Sequence, residues 1–177
     1  MTAKRLTMRS AIAAIFLTGA MTAATAPAVA GDAEMALLSA YIGEWAGEAV
    51  LKGGAEDEPF RCRLKVSKGT QAKINYSGRC ALVNSNLSVA GTIAFDDSSG
   101  RYLAAMSSNV GFTGQAVGSK SGNNISFDLD TQQIDRGGNQ VRIGADIALI
   151  NNTITVAFEV EFNNSGEVLT ANVPFAR

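Results

Sequence analysis

The feature that most constrains this fold is an alternation of apolar and polar residues that recurs along the chain after residue 43. It is clear in residues 60–66, F-R-C-R-L-K-V, and in residues 154–162, I-T-V-A-F-E-V-E-F, and it repeats at 87–95 and 141–149. Such period-two alternation is typical of strands that bury one face. No segment after residue 43 has the periodicity of a helix, so parallel βαβ units, which need crossover helices, are excluded.

Clusters of glycine, asparagine, aspartate and serine separate these segments at intervals of about 10–15 residues, as in antiparallel strands joined by short loops. Strands of this number in one small domain must bury one face and protect their edges, and an up-and-down antiparallel β-barrel does both. The sequence therefore predicts an all-β barrel of about 8–10 strands, with a two-sheet β-sandwich as the alternative. One short N-terminal helix is expected at residues 32–41, with Asp32 as its N-cap and Gly43 as its terminator.

The first thirty residues have the features of a secretory signal peptide. A cationic start precedes an apolar stretch of about ten residues, too short to span a bilayer, which needs about 20. Small residues, Ala28-Val29-Ala30, then form a cleavage site. We expect cleavage near Ala30, a periplasmic or secreted location, and a single β-barrel domain over residues 31–177. The cationic residues are Lys4, Arg5 and Arg9.

Charge and composition exclude several functions. Removal of residues 1–30 takes away three of the 15 cationic residues and none of the 16 acidic ones, which leaves a net charge of −4. A mildly acidic domain lacks the basic surface that nucleic-acid binding requires. The chain contains no histidine, which excludes Ser-His-Asp catalysis and histidine metal sites. The acidic groups at 56–58, 96–97 and 128–130 are expected in turns or on the water side, so no catalytic residue, metal site, cofactor or enzymatic activity is predicted.

Cys62 and Cys80 are expected to form a disulfide, because an exported chain meets an oxidising environment. A hairpin that turned at Lys68 and Gly69 would not place the two cysteines opposite each other. Direct pairing requires either a turn centred near Gln71 or a bulge between Ser77 and Arg79. The sequence leaves both arrangements open.

The segment Gly43-Glu44-Trp45-Ala46-Gly47 opens the strand region directly after the predicted helix. It resembles the G-x-W of lipocalins and the wider calycin group, and the G-x-W-x-G start of nitrobindin-type barrels. The resemblance implies that Trp45 packs across the closed end of the barrel, that Arg177 is the counterpart of an arginine that stacks on it, and that the interior holds a small apolar ligand. Nitrobindin-type barrels bind haem through a histidine, which this chain lacks, so no haem is predicted.

The predicted function is an exported, soluble, non-catalytic barrel that binds a small apolar or amphipathic ligand. Large inward residues alternate with small ones such as Ala104 and Ala116, which would leave space inside a barrel of ten strands. A pocket of about 300 Å³ or more would favour binding. The predicted ligand-binding residues are Trp45, Tyr76, Tyr102, Met106 and Phe127.

A basic stripe is expected on the outer face if residues 60–66 and 72–79 form neighbouring strands. Such a stripe binds an acidic partner or a lipid headgroup, or is a solvated face of the sheet. The stripe residues are Arg61, Arg63, Lys65, Lys73 and Arg79.

Two other functions stay open. The G-x-W with a nearby disulfide and a signal peptide also resembles exported small-barrel protease inhibitors of bacteria, a class of interaction protein. A small outer-membrane β-barrel has the same alternation with its apolar row facing lipid.

Overall fold

The computed structural model describes residues 30–83, 85–135 and 137–177. The predicted signal peptide, residues 1–30, lies outside these ranges apart from its last residue. The described chain consists of one helix, α1 (Ala30–Ser39), followed by ten β-strands. The strands are β1 (Gly43–Leu51), β2 (Glu58–Lys68), β3 (Lys73–Ala81), β4 (Asn86–Asp96), β5 (Arg101–Ser108), β6 (Thr113–Ser121), β7 (Asn124–Ile134), β8 (Gln140–Ile150), β9 (Thr153–Phe162) and β10 (Glu167–Ala176).

The ten strands form one closed antiparallel barrel. Each strand pairs with the next along the chain, and β1 pairs with β10 to close the sheet. In the closing pair, Ala46 lies opposite Ala176 and Gly47 lies opposite Phe175. The predicted up-and-down barrel of about 8–10 strands is therefore confirmed. The β-sandwich alternative is wrong, because a sandwich keeps edge strands whereas this sheet closes on itself.

The alternation in the sequence corresponds to the inner and outer faces of the barrel. Along β7, Ile125, Phe127 and Leu129 are buried, whereas Asp128 and Asp130 are exposed. The same division applies to β2, where Phe60, Cys62 and Val66 are buried and the cationic residues between them are exposed. Apolar side chains therefore fill the interior, and charged side chains lie on the outer wall.

The β8–β9 turn shows how the chain supplies the backbone conformations that tight hairpins need. β8 ends at Ile150 and β9 begins at Thr153, so the loop consists of Asn151 and Asn152. Both asparagines have positive φ, 49° and 61°. Positive φ at both central residues is the requirement of a type I′ turn, whose twist matches that of the flanking strands.

The predicted disulfide between Cys62 and Cys80 is present, with a Cα–Cα distance of 4.0 Å. The two cysteines lie directly opposite each other on β2 and β3, and Lys68 lies opposite Ile74. The hairpin is therefore centred on Gln71, whose φ is 56°. Of the two arrangements that the sequence left open, the turn near Gln71 is the correct one.

Helix α1 lies across one end of the barrel, which we call the closed end, and packs against β3 and β4. It begins at Ala30, so the prediction of Asp32 as the N-cap is wrong, and Asp32 lies in the first turn. A carboxylate there is still favoured by the helix dipole. Gly43 is the first residue of β1 rather than the helix terminator. Within the described ranges, no helix has the length and apolar character needed to cross a membrane.

Candidate functional site

Trp45 is buried at the closed end, beside the residues that connect α1 to β1. Only 3% of its surface is exposed, and its indole Nε1 donates a hydrogen bond to the carbonyl oxygen of Tyr41 at 3.0 Å. The guanidinium of Arg177 lies 4.5 Å from the centroid of the indole ring. Arg177 also donates hydrogen bonds to the carbonyl oxygens of Ala40 and Ile42. The indole therefore seals this end, and Arg177 covers it from outside.

Tyr102 and Phe127 form a second layer of the closed end. They are almost fully buried, with exposed fractions of 1% and 2%. The ring of Phe127 occupies the space above Gly118, its neighbour on β6, where a Cβ atom would lie 2.8 Å from the ring Cδ1. The hydroxyl of Tyr102 donates a hydrogen bond to the carboxylate of Glu34 in α1. This contact ties the helix to the barrel.

Glu34 is the polar centre of the closed end. Its carboxylate accepts the hydrogen bond from Tyr102 and forms an ion pair with the Nζ atom of Lys120 at 2.6 Å. Burial raises the pKa of Glu34, but the hydrogen bonds from Lys120 and Tyr102 outweigh burial and hold the pKa below its usual value of 4.5. Burial and the neighbouring carboxylate together raise the pKa of Tyr102. The carboxylate is therefore charged and the phenol neutral over the physiological range.

An internal cavity of about 180 Å³ lies between the disulfide and the end of the barrel opposite α1, which we call the far end. Glu34 contacts the start of β5 and the end of β6, so these two strand ends lie at the closed end. The loop from the end of β5 to the start of β6 therefore lies at the far end, and Phe112 belongs to this loop. Glycine and alanine at inward positions of β5, β6 and β8 create the space. Prominent residues of the lining are Cys62, Cys80, Tyr76, Met106, Phe112 and Phe158.

The position of Tyr76 in this lining depends on the glycine that lies opposite it. Its ring extends over Gly91, which lies directly opposite it on β4, and its hydroxyl donates a hydrogen bond to the carbonyl oxygen of Ala105 at 3.2 Å. A Cβ atom at Gly91 would overlap both the Tyr76 hydroxyl and the Ala105 carbonyl oxygen. Burial raises the pKa of Tyr76 to about 12. The absence of a side chain at Gly91 therefore positions the phenol across the wall of the cavity.

The predicted ligand-binding residues fall into two groups. Tyr76 and Met106 line the cavity. Trp45, Tyr102 and Phe127 are buried at the closed end and are not part of the cavity lining. The alternation in the sequence indicates which residues face the interior but not their height along the barrel, because height depends on the stagger of all the strands.

Several lining residues were not predicted. Phe112 lies in a loop, where the strand pattern carries no signal, and the remainder come mostly from β7 to β10. The alternation along these strands predicts that these side chains point inward. It does not predict that they meet around one cavity. The unpredicted residues from these strands include Leu129, Ile143, Val156, Phe158 and Val173.

The predicted basic stripe lies on the outer wall over β2 and β3. Arg63 lies directly opposite Arg79, and Lys65 lies opposite Ser77. Arg61 forms an ion pair with Glu48 at 2.9 Å, and Lys73 lies apart, at the start of β3 beside the turn. The structure therefore brings Arg63, Lys65 and Arg79 together and leaves the other two at the margins.

Two of the acidic residues considered in the sequence, Asp130 and Asp96, have hydrogen-bond partners on the surface. Asp130 accepts two hydrogen bonds from Arg142, at 3.1 and 2.9 Å, and these hold the pKa of Asp130 below its usual value. Asp96 accepts hydrogen bonds from Ser98 and Ser99 in the β4–β5 turn, which lower its pKa. Both carboxylates therefore stabilise surface features of the barrel.

Comparison with known proteins gives a similarity of fold. The crystal structure of Rv2717c from M. tuberculosis superposes with a TM-score of 0.64 at 15% sequence identity, covering 85% of this chain and 98% of that one. The S-type phycobiliprotein lyase CPES from Guillardia theta superposes with a TM-score of 0.53 at 13% identity, covering 83% and 93%. What the chain shares with these two structures is therefore a fold. No family model and no curated protein sequence matches the chain.

Proposed function

We propose that this chain is an exported, non-catalytic calycin-like barrel that binds one small apolar molecule in its internal cavity. The observation that carries the proposal is the cavity itself, about 180 Å³ of space lined by apolar side chains in a barrel whose closed end is densely packed. Apolar cavities in proteins stay dry and take up apolar guests, because water gains too few hydrogen bonds there.

The volume limits the size of the ligand. The cavity is smaller than the roughly 300 Å³ at which pockets for drug-sized molecules begin. The expected ligand is therefore smaller than a drug-sized molecule. An apolar cavity of about 150 Å³ is sufficient for benzene. We therefore expect a guest no larger than a substituted benzene or a short alkyl chain. Because the lining presents almost only apolar atoms, we expect a guest without polar groups.

The distribution of charge argues against the outer-membrane alternative. A barrel in a membrane has an apolar band on its outer wall and a polar interior. Here the interior is apolar, and charged pairs such as Arg61 with Glu48 and Arg142 with Asp130 lie on the outer wall. The protease-inhibitor alternative predicts that the purified protein inhibits a secreted metalloprotease, which a direct assay measures.

Binding of benzene, measured by calorimetric titration, tests the proposal. Ala104 faces the cavity and Ala105, the next residue of β5, faces solvent, so the same substitution at the two positions forms a matched pair. We expect saturable binding by the wild type, a loss of about tenfold or more in Ala104→Leu, and little change in Ala105→Leu. Should Ala104→Leu fail to fold, Ala116→Leu fills the same cavity from β6. Absence of saturable binding by the wild type, or an equal loss in Ala105→Leu, would refute the proposal.

Export is tested separately. The chain, expressed with its first thirty residues in a bacterial host, is expected in the soluble periplasmic fraction with a new N-terminus near Gly31, as determined by mass spectrometry of the intact protein. Retention of the full-length chain in the cytoplasm would contradict export and would leave the cavity proposal untouched.

A further inference from the structure

A trough lies on the outer wall of the barrel over β1 to β5, and three cationic side chains of β2 and β3 line it. Arg63 and Arg79 lie directly opposite each other on β2 and β3. Lys65 is the next outward residue of β2. Side chains directly opposite each other on antiparallel strands have Cβ atoms about 4.5–5.5 Å apart. The two guanidinium groups and the ammonium group therefore occupy neighbouring positions of the outer wall.

The trough is concave because the outward residues around the cationic groups are small. Ser88 lies opposite Arg79 on β4, and Ala46 lies opposite Arg63 on β1. Ser77 and Ala90, which also line the trough, lie opposite each other on β3 and β4. Long side chains at these positions would cover the strands, as they do elsewhere on a barrel surface. The serine hydroxyls add hydrogen-bond donors at the level of the floor.

The cationic groups in the trough are not neutralised by the protein. In residues 30–83, 85–135 and 137–177, no carboxylate lies within 4.0 Å of Arg63, Lys65 or Arg79. This differs from Arg61 and Arg142, which have carboxylate partners at 2.9 Å. Like charges directly opposite each other on adjacent strands destabilise a sheet. The Arg63–Arg79 pair thus lowers the stability of the barrel without any compensating contact among the described residues.

The net charge of the trough specifies the charge of a ligand. Arg63, Lys65 and Arg79 contribute three positive charges, and Glu44, opposite Lys65 on β1, contributes one negative charge. The guanidinium of Arg177, at one end of the trough, is already engaged with Trp45 and with backbone carbonyl oxygens. Those contacts leave its positive charge in place, so four cationic side chains and one acidic side chain give the trough a charge of about +3, which favours an anion of more than one charge.

We infer that this trough is a binding site for a phosphate monoester, held by Arg63, Arg79 and Lys65. A phosphate monoester carries about −1.5 to −2 charges at pH 7 and three strong acceptor oxygens. Its oxygens accept hydrogen bonds from all three cationic groups, and each guanidinium offers a fork of donors that matches two of them. A carboxylate has two oxygens and a single charge, so it leaves more of the positive charge unbalanced than a phosphate monoester does. The site lies on the outer wall and does not depend on the internal cavity.

The test is calorimetric titration of the purified protein with glycerol 1-phosphate in a phosphate-free buffer. We expect binding that weakens by about tenfold or more in Arg63→Gln and in Arg79→Gln, because each loses charge-assisted hydrogen bonds. Arg61→Gln is the matched control, since it removes the same charge from the same strand at a residue already paired with Glu48. It should change the affinity by no more than about twofold. An equal loss in Arg61→Gln would overturn the inference, because attraction would then come from overall charge.

A second variant separates loss of binding from loss of folding. Arg79→Glu places a carboxylate opposite Arg63 and replaces repulsion with attraction. We expect its Tm to rise by about 1–4 °C while binding of glycerol 1-phosphate is abolished. Unchanged binding by this variant would overturn the inference. Equal affinity for glutarate, a dicarboxylate dianion, would overturn the assignment of a phosphate.

The source of the phosphate is determined by a parallel measurement with vesicles. Phosphatidylcholine vesicles with and without phosphatidic acid, whose headgroup is a phosphate monoester, are sedimented with the protein. Binding that requires phosphatidic acid and is lost in Arg79→Glu supports a lipid source. Binding of glycerol 1-phosphate alone supports a soluble phosphate monoester. Failure to bind either probe would overturn the inference, whatever the outcome of the benzene titration.

Discussion

Replacement of Gly91 by alanine tests the packing that positions Tyr76 on the cavity wall. The φ of Gly91 lies outside the left-handed region, so the backbone itself accepts alanine. The added Cβ atom, however, overlaps the carbonyl oxygen of Ala105 and the hydroxyl of Tyr76. The carbonyl belongs to β5 and moves only together with the sheet, so alanine requires both a shift of the β5 backbone and displacement of the tyrosine. Overpacking of this kind costs about 1–3 kcal/mol, and loss of the Tyr76 hydrogen bond adds about 1 kcal/mol.

The same substitution at Gly144 is the control. Gly144 lies within β8, its φ also lies outside the left-handed region, and the nearest atom to an added Cβ would be 3.9 Å away. Alanine there restricts the unfolded chain and should stabilise the protein by about 0.5–1 kcal/mol. The two variants therefore differ in contacts, while their chemical change is identical.

Urea unfolding and thermal unfolding, followed by circular dichroism with the disulfide intact, measure both variants. We expect Gly91→Ala to lower the free energy of unfolding by about 2–4 kcal/mol and the Tm by about 4–16 °C. Displacement of Tyr76 should also weaken the binding of benzene. If Gly91→Ala is as stable as Gly144→Ala, the close packing of Tyr76 on Gly91 is refuted, and with it the account of the cavity wall.

The remaining predictions concern the closed end, ionisation and the disulfide. Arg177→Ala should cost about 1–2 kcal/mol and shift the emission of Trp45, the single tryptophan, to longer wavelength; an unchanged spectrum would show that Arg177 does not cover the indole. Glu34→Gln should destabilise the protein by about 1 kcal/mol at pH 7. Because the folded pKa of Glu34 is lowered, this difference is present above pH 4.5 and should disappear as the pH falls through the folded value. The pKa values of all three tyrosines are raised, so ultraviolet titration should show less ionisation at pH 10 in the folded protein than in the urea-unfolded protein, and stability should decrease above that pH. Reduction of the disulfide should lower the free energy of unfolding by about 3 kcal/mol, whereas an unchanged urea midpoint would contradict its structural role.

Local sequence patterns predicted most of the fold. The division of β7 into buried Phe127 and exposed Asp128 follows from period-two alternation, because in a strand the face of a residue depends on its position alone. The number of strands was predicted only as about 8–10, because β6 has little alternation of apolar and polar residues. Its sequence, T-G-Q-A-V-G-S-K-S, is rich in small and polar residues. Its identity as a strand depends on its neighbours, β5 and β7.

The turn beside the disulfide shows where local signals end. Gln71 and Ala72 adopt positive φ values of 56° and 53° without being glycine, asparagine or aspartate. Residues of these types seldom adopt this conformation, so no turn signal indicated it. The paired strands and the Cys62–Cys80 bond impose it, and both are contacts between segments distant from the turn.

By itself, the sequence determined which residues face inward, that the strands run antiparallel, and which two cysteines are available to pair. These are properties of single residues and short segments. Only the tertiary structure decided that Tyr76 and Met106 border a cavity whereas Tyr102 and Phe127 fill the closed end, and that Arg63 faces Arg79. The physical reason is closure: the height of each residue depends on the combined stagger of ten hydrogen-bonded strands, which no short segment encodes.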